Sequence, residues 1–395
     1  MALSGIRVVD LTRILAGPFC TMLLADMGAD VIKIETPGTG DPVRAQGAVR
    51  NGFSWYFAQF NRNKRSLALD LRSDDGKAVL ADLIAGADVL VENYRPGVLA
   101  EMGFGPERLR ELNPDLIVTS VNGFGSTGPY ADRPAFDFIA QAMSGFMSLN
   151  GPADGAPMRA APPLSDLVAG LYAAFGAVCA LVARGRLPEG ARGQAVEASL
   201  NNGLISLFAY LSAETLATGN LPARTGNDHP IVAPYGLFKA ADGEIAVAAS
   251  HDGIVRRFLK VLELEDVLEQ PEFADNAQRM RNRAQINALI EERVGQDTVA
   301  NWIARLNAAG VPCGRVQNLL EVFDDPQVRA QEMVIKMEQP GRGQIAMTGF
   351  PVKLSQTPCS LRLPAPELGG DSEEVLRELG YDDDRIAALR GGGVI

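Results

Sequence analysis

Apolar and polar positions alternate between two rhythms along this chain. Short, nearly unbroken apolar runs at residues 6–10, 31–35, 66–71, 88–93 and 116–122 read as strands buried on both faces. Between them, residues 17–27, 75–86 and 105–112 carry helical spacing. Gly17-Pro18 opens the first helix with proline in its first turn, where the missing N–H costs nothing. Strand and helix in repetition predict an α/β fold: a Rossmann-like, doubly wound domain filling about residues 1–150. Ligands of such sheets gather at the carboxyl ends of the strands, which carry residues 10–17, 35–41, 92–97 and 122–129.

Longer helical periods follow at 165–184 and 199–218. The pattern then changes. Strands at 231–237 and 244–249 flank a turn at 239–243, and amphipathic helices cover 253–262, 282–295 and 298–309. These predict a smaller α+β domain. The expected division is a large domain with long helices at 1–227, a small domain at 228–325, and a C-terminal segment at 326–395. That segment ends in a helix near 383–389 and is expected to return to the large domain.

Composition narrows the function. The chain has 395 residues, 47% hydrophobic and 22% charged, as in an ordinary soluble globular protein with a large core. A net charge of −11 weighs against nucleic-acid or membrane-surface binding, so an anionic ligand would need a local basic pocket. Cys20, Cys179, Cys313 and Cys359 are scattered, without a CxxC pair or a metal-type cluster. They predict reduced thiols, a cytoplasmic location and no metal. The first residues lack the order of a signal peptide. The apolar stretch 167–182 is shorter than the ~20 residues of a membrane span and predicts a buried core helix.

Several motifs admit chemistry. Gly123-Phe-Gly-Ser-Thr-Gly128 matches G-x-G-x-x-G, but Pro129 follows at once and no helix can start there to hold a pyrophosphate. The loop remains a candidate for close ligand approach, with Gly125 as a possible oxyanion donor. Asp166 precedes a very apolar helix. Ser165 or Asp166 could simply cap that helix, or Asp166 could be a partly dehydrated nucleophile at the core's edge. Asn93-Tyr-Arg-Pro-Gly97 is either a surface turn or a loop over a nucleotide, with Tyr94 against an apolar surface and Arg95 near phosphate. The basic residues of Asn61-Arg-Asn-Lys-Arg65, with Arg72, are either a solvated face or a phosphate dock. His229 and His251 have no metal-type partners nearby, and neither a G-x-S-x-G elbow nor a Walker lysine occurs.

Taken in order, these pieces resemble the class III CoA-transferase family, which also contains acyl-CoA racemases. The resemblance runs through Val9-Asp-Leu-Thr-Arg-Ile-Leu-Ala-Gly-Pro18, Gly28-Ala-Asp-Val-Ile-Lys-Ile-Glu35, Asn61–Ser66, Val91-Glu-Asn-Tyr-Arg-Pro-Gly97, Gly123–Pro129, Asp137–Gly145, Asp166, Arg192-Gly-Gln-Ala-Val-Glu197 and the tail at 379–389. It implies a homodimer of interlocked, ring-like subunits and Asp166 as the catalytic residue. It also implies CoA contacts at Leu15, Ala16, Leu69 to Arg72, Asn93 and Tyr94. Thr36 and Pro134 stand where some members carry cations, with Arg133 beside the latter. The racemase branch has a His-Asp pair where this chain has Phe136-Asp137. Phenylalanine cannot shuttle a proton, so the expected activity is CoA transfer through aspartyl anhydride and aspartyl-CoA intermediates. Aspartate ionises near ~3.9 unperturbed, so no general base or cofactor is expected, the CoA thioester being a substrate. A succinyl-type donor and a small carboxylic acid acceptor would want a cation or amide donor, for which Arg13, Arg44 and His229 are candidates, and Asp137 is a further possible substrate or oxyanion residue. Residues 250–253 are an expected lid. A 2-methylacyl-CoA racemase and a non-catalytic CoA-ester-binding subunit are the alternatives.

Overall fold

In the computed structural model, which describes every residue except Glu189 and Ala191, the buried runs pair into one parallel six-stranded sheet. Its strands are β1 (Arg7–Asp10), β2 (Asp30–Glu35), β3 (Lys64–Ala68), β4 (Val89–Glu92), β5 (Ile117–Asn122) and β6 (Gln194–Ser199). Their spatial order is β3-β2-β1-β4-β5-β6. The order runs outward in both directions from β1, so the crevice between the ends of β1 and β4 is where a ligand fits. Val9 pairs with Ile32 on one side and Leu90 on the other.

The principal helices here are α1 (Ala16–Asp26), α2 (Trp55–Asn61), α3 (Asp74–Ala85), α4 (Pro106–Leu112), α5 (Asp137–Met143), α6 (Leu164–Arg184) and α7 (Leu200–Ser206). Ser73 caps α3 by accepting from the Gly76 N–H at 3.0 Å, and Asp74 and Asp75 sit in its first turn, favourably placed toward the positive helix end. On one face of the sheet, Val79 and Leu83 of α3 and Leu109 of α4 pack with Val9, Ile32 and Leu90. On the other, Cys20 and Leu24 of α1 and Ala169, Ala173 and Ala177 of α6 pack with Val8, Val31 and Val89. Two buried faces explain why the strands read as continuous apolar runs.

Residues 1–146, 160–208 and 326–395 form one compact unit, and residues 147–159 and 209–325 form another. The second contains α8 (Ala209–Thr218), the antiparallel hairpin of β7 (Tyr235–Ala240) and β8 (Gly243–Ala248), and β9 (Cys313–Arg315) beside β8. Its helices α9 (Asp252–Val261), α10 (Asn276–Arg281), α11 (Arg283–Val294) and α12 (Val299–Ala308) close a core of Phe238, Phe258, Ile290 and Trp302. The chain then rejoins the first unit with the hairpin β10 (Val334–Gln339) and β11 (Gly343–Thr348) and with α13 (Ser372–Glu378) and α14 (Asp383–Gly391). Val375 and Ile386 add to the α3 side of the core.

The structure departs from the sequence expectations at identifiable places. The boundary at 227 moves, because 147–159 and 209–227 belong to the second unit. The Arg224 guanidinium donates to the Gly155 carbonyl at 2.7 Å, and the Gly226 N–H donates to the Gly151 carbonyl at 3.1 Å. The strand expected at 66–71 begins at Lys64, since ion pairs bury its two leading cations. The expected helix at 199–218 is broken where Ala209 takes a φ of +48°, which a helix cannot carry. β6 was not expected; it is an edge strand with largely exposed residues and no apolar run. α6 reaches 21 residues and is, by length and composition, long and apolar enough to cross a membrane. It is a core helix on one side only: Ala169, Ala173, Ala177 and Ala180 are buried, whereas Leu171 and Phe175 are 53% and 65% exposed. In the second unit, His251 of the expected lid is the N-cap of α9, accepting from the Gly253 N–H at 3.2 Å.

Candidate active site

Pro162 and Pro163 bring the chain to α6, and Leu164 is its first residue. Asp166 is therefore the third residue of the helix, within reach of free N–H groups, yet its carboxylate accepts no hydrogen bond from the described residues. The capping is done from elsewhere. Asp137, at the start of α5, accepts from the Ser165 N–H at 3.0 Å and from the Ser165 hydroxyl at 2.9 Å. Asp137 is thus a buried structural acceptor rather than a substrate or oxyanion contact. Burial, and then the charge of Asp137, push the Asp166 carboxyl up to about 7. The expectation of a carboxylate ionised far below neutrality is corrected accordingly: Asp166 titrates near the pH at which the chemistry would run.

α1 crosses close to this point. A Cβ on Gly170, one turn after Asp166, would stand 2.4 Å from the Ala16 carbonyl oxygen and 3.1 Å from the Phe19 ring, so only glycine allows this approach. The first turn of α1 has no side-chain cap and no acidic residue. Among the described residues, the N–H groups of Ala16 and Gly17 have no acceptor. Leu15 and Ala16 bury their side chains and can offer a ligand only main-chain atoms. The loop before them is braced from below. Asp41 accepts from the Ile14 N–H at 3.1 Å and is paired with the buried Lys33 at 3.0 Å. Ile14 is held at a φ of +71°, a strained conformation for a β-branched residue.

Tyr56 is a residue the sequence reading missed. It lies in α2, capped by Ser54, and stacks edge-on to Phe60. Burial and the negative charges of Asp166 and Asp41 push its phenol up to about 12, so it stays protonated at neutral pH within electrostatic reach of Asp166. The available signal was a polar-tipped aromatic within the aromatic-rich run Trp55-Tyr-Phe-Ala-Gln-Phe60.

At the ends of β1 and β2, a cleft of about 280 Å³ is lined by Leu11–Arg13, Ile34–Thr36, Thr39–Pro42 and Tyr94. Asn93 fixes its rim, accepting from the Arg13 N–H at 3.0 Å and donating to the Arg13 carbonyl at 2.8 Å. The Arg13 guanidinium lies 5.6 Å from the Tyr94 ring centre and has no anionic partner among the described residues. Arg95 is likewise exposed and unpaired.

Other candidates are already committed to scaffolding. Arg44 pairs with Glu35 at 2.6 Å and covers the Phe57 ring, so it is no free substrate cation. Leu69 is a core side chain, while Arg72 is exposed and paired with Asp70 at 2.9 Å. The basic run is neither a solvated face nor a phosphate dock. Arg62 binds Asp26 at 2.7 Å, Lys64 binds Asp10 at 3.1 Å, and Arg65 binds Asp30 and Glu378, each at 2.7 Å. Gly125 is corrected as an oxyanion donor, because its N–H donates to Asn122 at 2.6 Å. The neighbouring Ser126 N–H and hydroxyl are held by Glu197. His229, in the second unit, packs between Tyr210 and Tyr235, and its Nδ1 accepts from the Ile231 N–H at 3.3 Å. Burial and Arg283 lower its pKa, so at neutral pH it is not a cation.

A ligand crevice at the reversal of a parallel sheet, with an unpaired aspartate at a nearby helix start, is an arrangement for holding a reactive carboxylate beside a bound anion. Residues 3–372 match the model of CoA-transferase family III, and the chain belongs to that family. It is 36% identical to the succinyl-CoA:glutarate CoA-transferase of Homo sapiens, over all of this chain and 90% of that one. It is 39% identical to the succinyl-CoA:mesaconate CoA-transferase of Haloarcula marismortui, covering 96% of this chain and 97% of the other. A crystal structure of a CaiB/BaiF family protein from Brucella suis, 36% identical, superposes with a TM-score of 0.84 over 95% of this chain and 98% of that one.

Proposed function

We propose that this protein moves CoA from succinyl-CoA, or a similar dicarboxylyl-CoA, to a carboxylic acid, with Asp166 as the covalent carrier. The carrying observation is a half-buried carboxyl at the start of α6 that no side chain or main-chain N–H neutralises. The ionised Asp166 attacks the donor thioester carbonyl, forming a mixed anhydride and releasing CoA thiolate. The thiolate attacks the aspartyl carbonyl, leaving an aspartyl-CoA thioester and the free donor acid. The acceptor carboxylate attacks that thioester, giving a second anhydride and thiolate. The thiolate then attacks the acceptor carbonyl, releasing acceptor-CoA and Asp166.

Oxyanions formed in these steps need fixed donors. The free N–H groups of Ala16 and Gly17 support that role better than Gly125, whose N–H is engaged. The Tyr56 phenol supports a donor role toward the substrate carboxylate. The strand-end cleft, with Arg13 over Tyr94, supports docking of the CoA nucleotide. The strand order and the helices on both faces support a Rossmann-like description. Exposed apolar side chains on α5 and α6, including Phe138, Ile139, Leu171 and Phe175, support a homodimer, which we take to be interlocked. The free cysteines support a cytoplasmic location. Phe136, where a racemase would need an acid–base group, is 72% exposed and can accept no proton.

The test is CoA exchange from succinyl-CoA to glutarate, oxalate, itaconate and carnitine, with mass spectrometry of the acyl-CoA-treated enzyme. Exchange with a dicarboxylate and a CoA-sized adduct on the peptide containing Asp166 are expected. No exchange with any dicarboxylate would remove the substrate assignment, and an adduct elsewhere would remove Asp166.

A further inference from the structure

A helix start ordinarily recruits its own residues to its free N–H groups. α6 instead draws its acceptor from α5, 28 residues earlier: one oxygen of Asp137 takes both the N–H and the hydroxyl of Ser165. The other oxygen accepts from the Gln141 amide at 2.8 Å. Gln141 in turn accepts from the Ala160 N–H at 2.7 Å through its own carbonyl oxygen, so its amide cannot flip without loss. Asp137, Gln141 and Ser165 are all buried. Each hydrogen bond in this chain has one assigned donor and one assigned acceptor, which locks the residue next to Asp166.

We propose that Asp137 is a positioning residue for the nucleophile: it caps the first turn of α6 in place of Asp166, leaving the Asp166 carboxylate turned away from the helix N–H groups and free to attack. This rests on the reading of Asp166 as the acyl carrier. A nucleophile drawn back onto its own helix would share its electrons with N–H donors, and its attack geometry would change. The capping charge also opposes ionisation of Asp166, adding to the effect of burial.

Few other charges bear on that site. Of the elements packed on α6, β5 and α7 carry no ionisable side chain. α1 carries Asp26, at its far end and paired with Arg62. β6 carries Glu197, which Asn122 and Ser126 hold. α5 carries Asp137, and α2 contributes the Tyr56 phenol.

Two variants separate the cap from its charge. Asp137→Ala removes both. Asp137→Asn combined with Gln141→Glu keeps every hydrogen bond, with the new amide donating to the new carboxylate, and shifts the charge away from the Ser165 contact. Exchange from succinyl-CoA and the rate of Asp166 labelling by acyl-CoA are measured between pH 5.5 and 8.5. Asp137→Ala is expected to lower the plateau kcat about 100-fold with little change in KM. The double variant is expected to recover at least about tenfold of that loss and to move the acid inflection down by about one pH unit. Wild-type rate and inflection in Asp137→Ala overturn the proposal, as does a folded double variant whose inflection stays in place. If Asp137→Ala does not fold, the double variant still decides. Full transfer by Asp166→Asn would instead defeat the carrier reading itself. An inactive Asp166→Asn beside wild-type behaviour at position 137 sinks only the positioning role.

Discussion

Carboxylates in the same unit are treated in opposite ways, two fully buried and one half-buried. At the ends of β1 to β3, Asp10 receives the Thr12 and Thr21 hydroxyls and the Lys64 ammonium, while Asp41 receives Lys33. Burial alone would raise the Asp10 carboxyl, but Lys64, Lys33 and the two hydroxyls hold it below its usual value. At the start of α6 the same residue type has no cation and no donor, and its carboxyl rises. The first group is frame and the second is reactive. Cations written close together in the sequence serve the frame, and the carboxylate left without one is the one suited to nucleophilic attack.

Removing the reactive carboxylate should have the largest effect. Asp166→Asn is expected to lower CoA exchange by on the order of 10⁴-fold or more. It should also stabilise the fold. The native carboxyl titrates near 7 and the unfolded one near ~3.9, so between those values the unfolded chain holds fewer protons and stability falls as pH rises. The neutral amide escapes this penalty. Its advantage should be absent below about pH 4, grow as pH rises, and reach about 4 kcal/mol at pH 8 in urea unfolding. A variant that is inactive and equally destabilised at both pH values would contradict the contrast.

Breaking the frame should affect stability first. Lys64→Met leaves Asp10 buried with two hydroxyls and no paired ammonium, at a cost of about 3–5 kcal/mol. Adding Asp10→Asn should recover part of this, because the two sites are in contact and their effects do not add. Equal losses in the single and double variants would show that the pair is not what Lys64 supplies.

This contrast is only half legible in the sequence. β1, β2, β4 and β5 can be read directly, since burial on two faces demands unbroken apolar runs. Asp166 can be singled out because it follows two prolines and precedes an apolar helix. Which alternative applies to it cannot be read, because its rival for the capping role lies 28 residues away in α5. Lys64 and Arg65 mislead for a similar reason: the partner of Lys64 lies 54 residues earlier, those of Arg65 lie 35 residues earlier and 313 residues later, and only the folded sheet makes burial tolerable. Tyr56 is invisible until the fold brings α2 within electrostatic reach of Asp166. Pattern reports which face of an element is buried; it does not report which charges meet there.

The contrast has a direct kinetic signature. If Asp166 attacks as the carboxylate, kcat/KM for succinyl-CoA should fall about tenfold per unit below an inflection near pH 7 and level off above it. A carboxylate compensated as Asp10 is would give no inflection there. A flat profile from pH 5.5 to 8 would mean that Asp166 is already ionised throughout that range in the free enzyme, and the contrast with Asp10 would fall.

The smallest effect belongs to the cation that neither frame nor nucleophile uses. Arg13 is exposed, lies over Tyr94 at the mouth of the strand-end cleft, and meets no carboxylate among the described residues. Its backbone, not its side chain, is what Asn93 holds, so Arg13→Ala should leave the loop and α1 in place. The expected result is a KM for the CoA substrate raised about fivefold, near 1 kcal/mol, with kcat unchanged. An exposed charge acting on an anion is screened by salt, so the difference from wild type should shrink between 50 mM and 500 mM added salt. A salt-independent loss, or one in kcat, would mean that Arg13 acts through the loop and belongs with the frame after all.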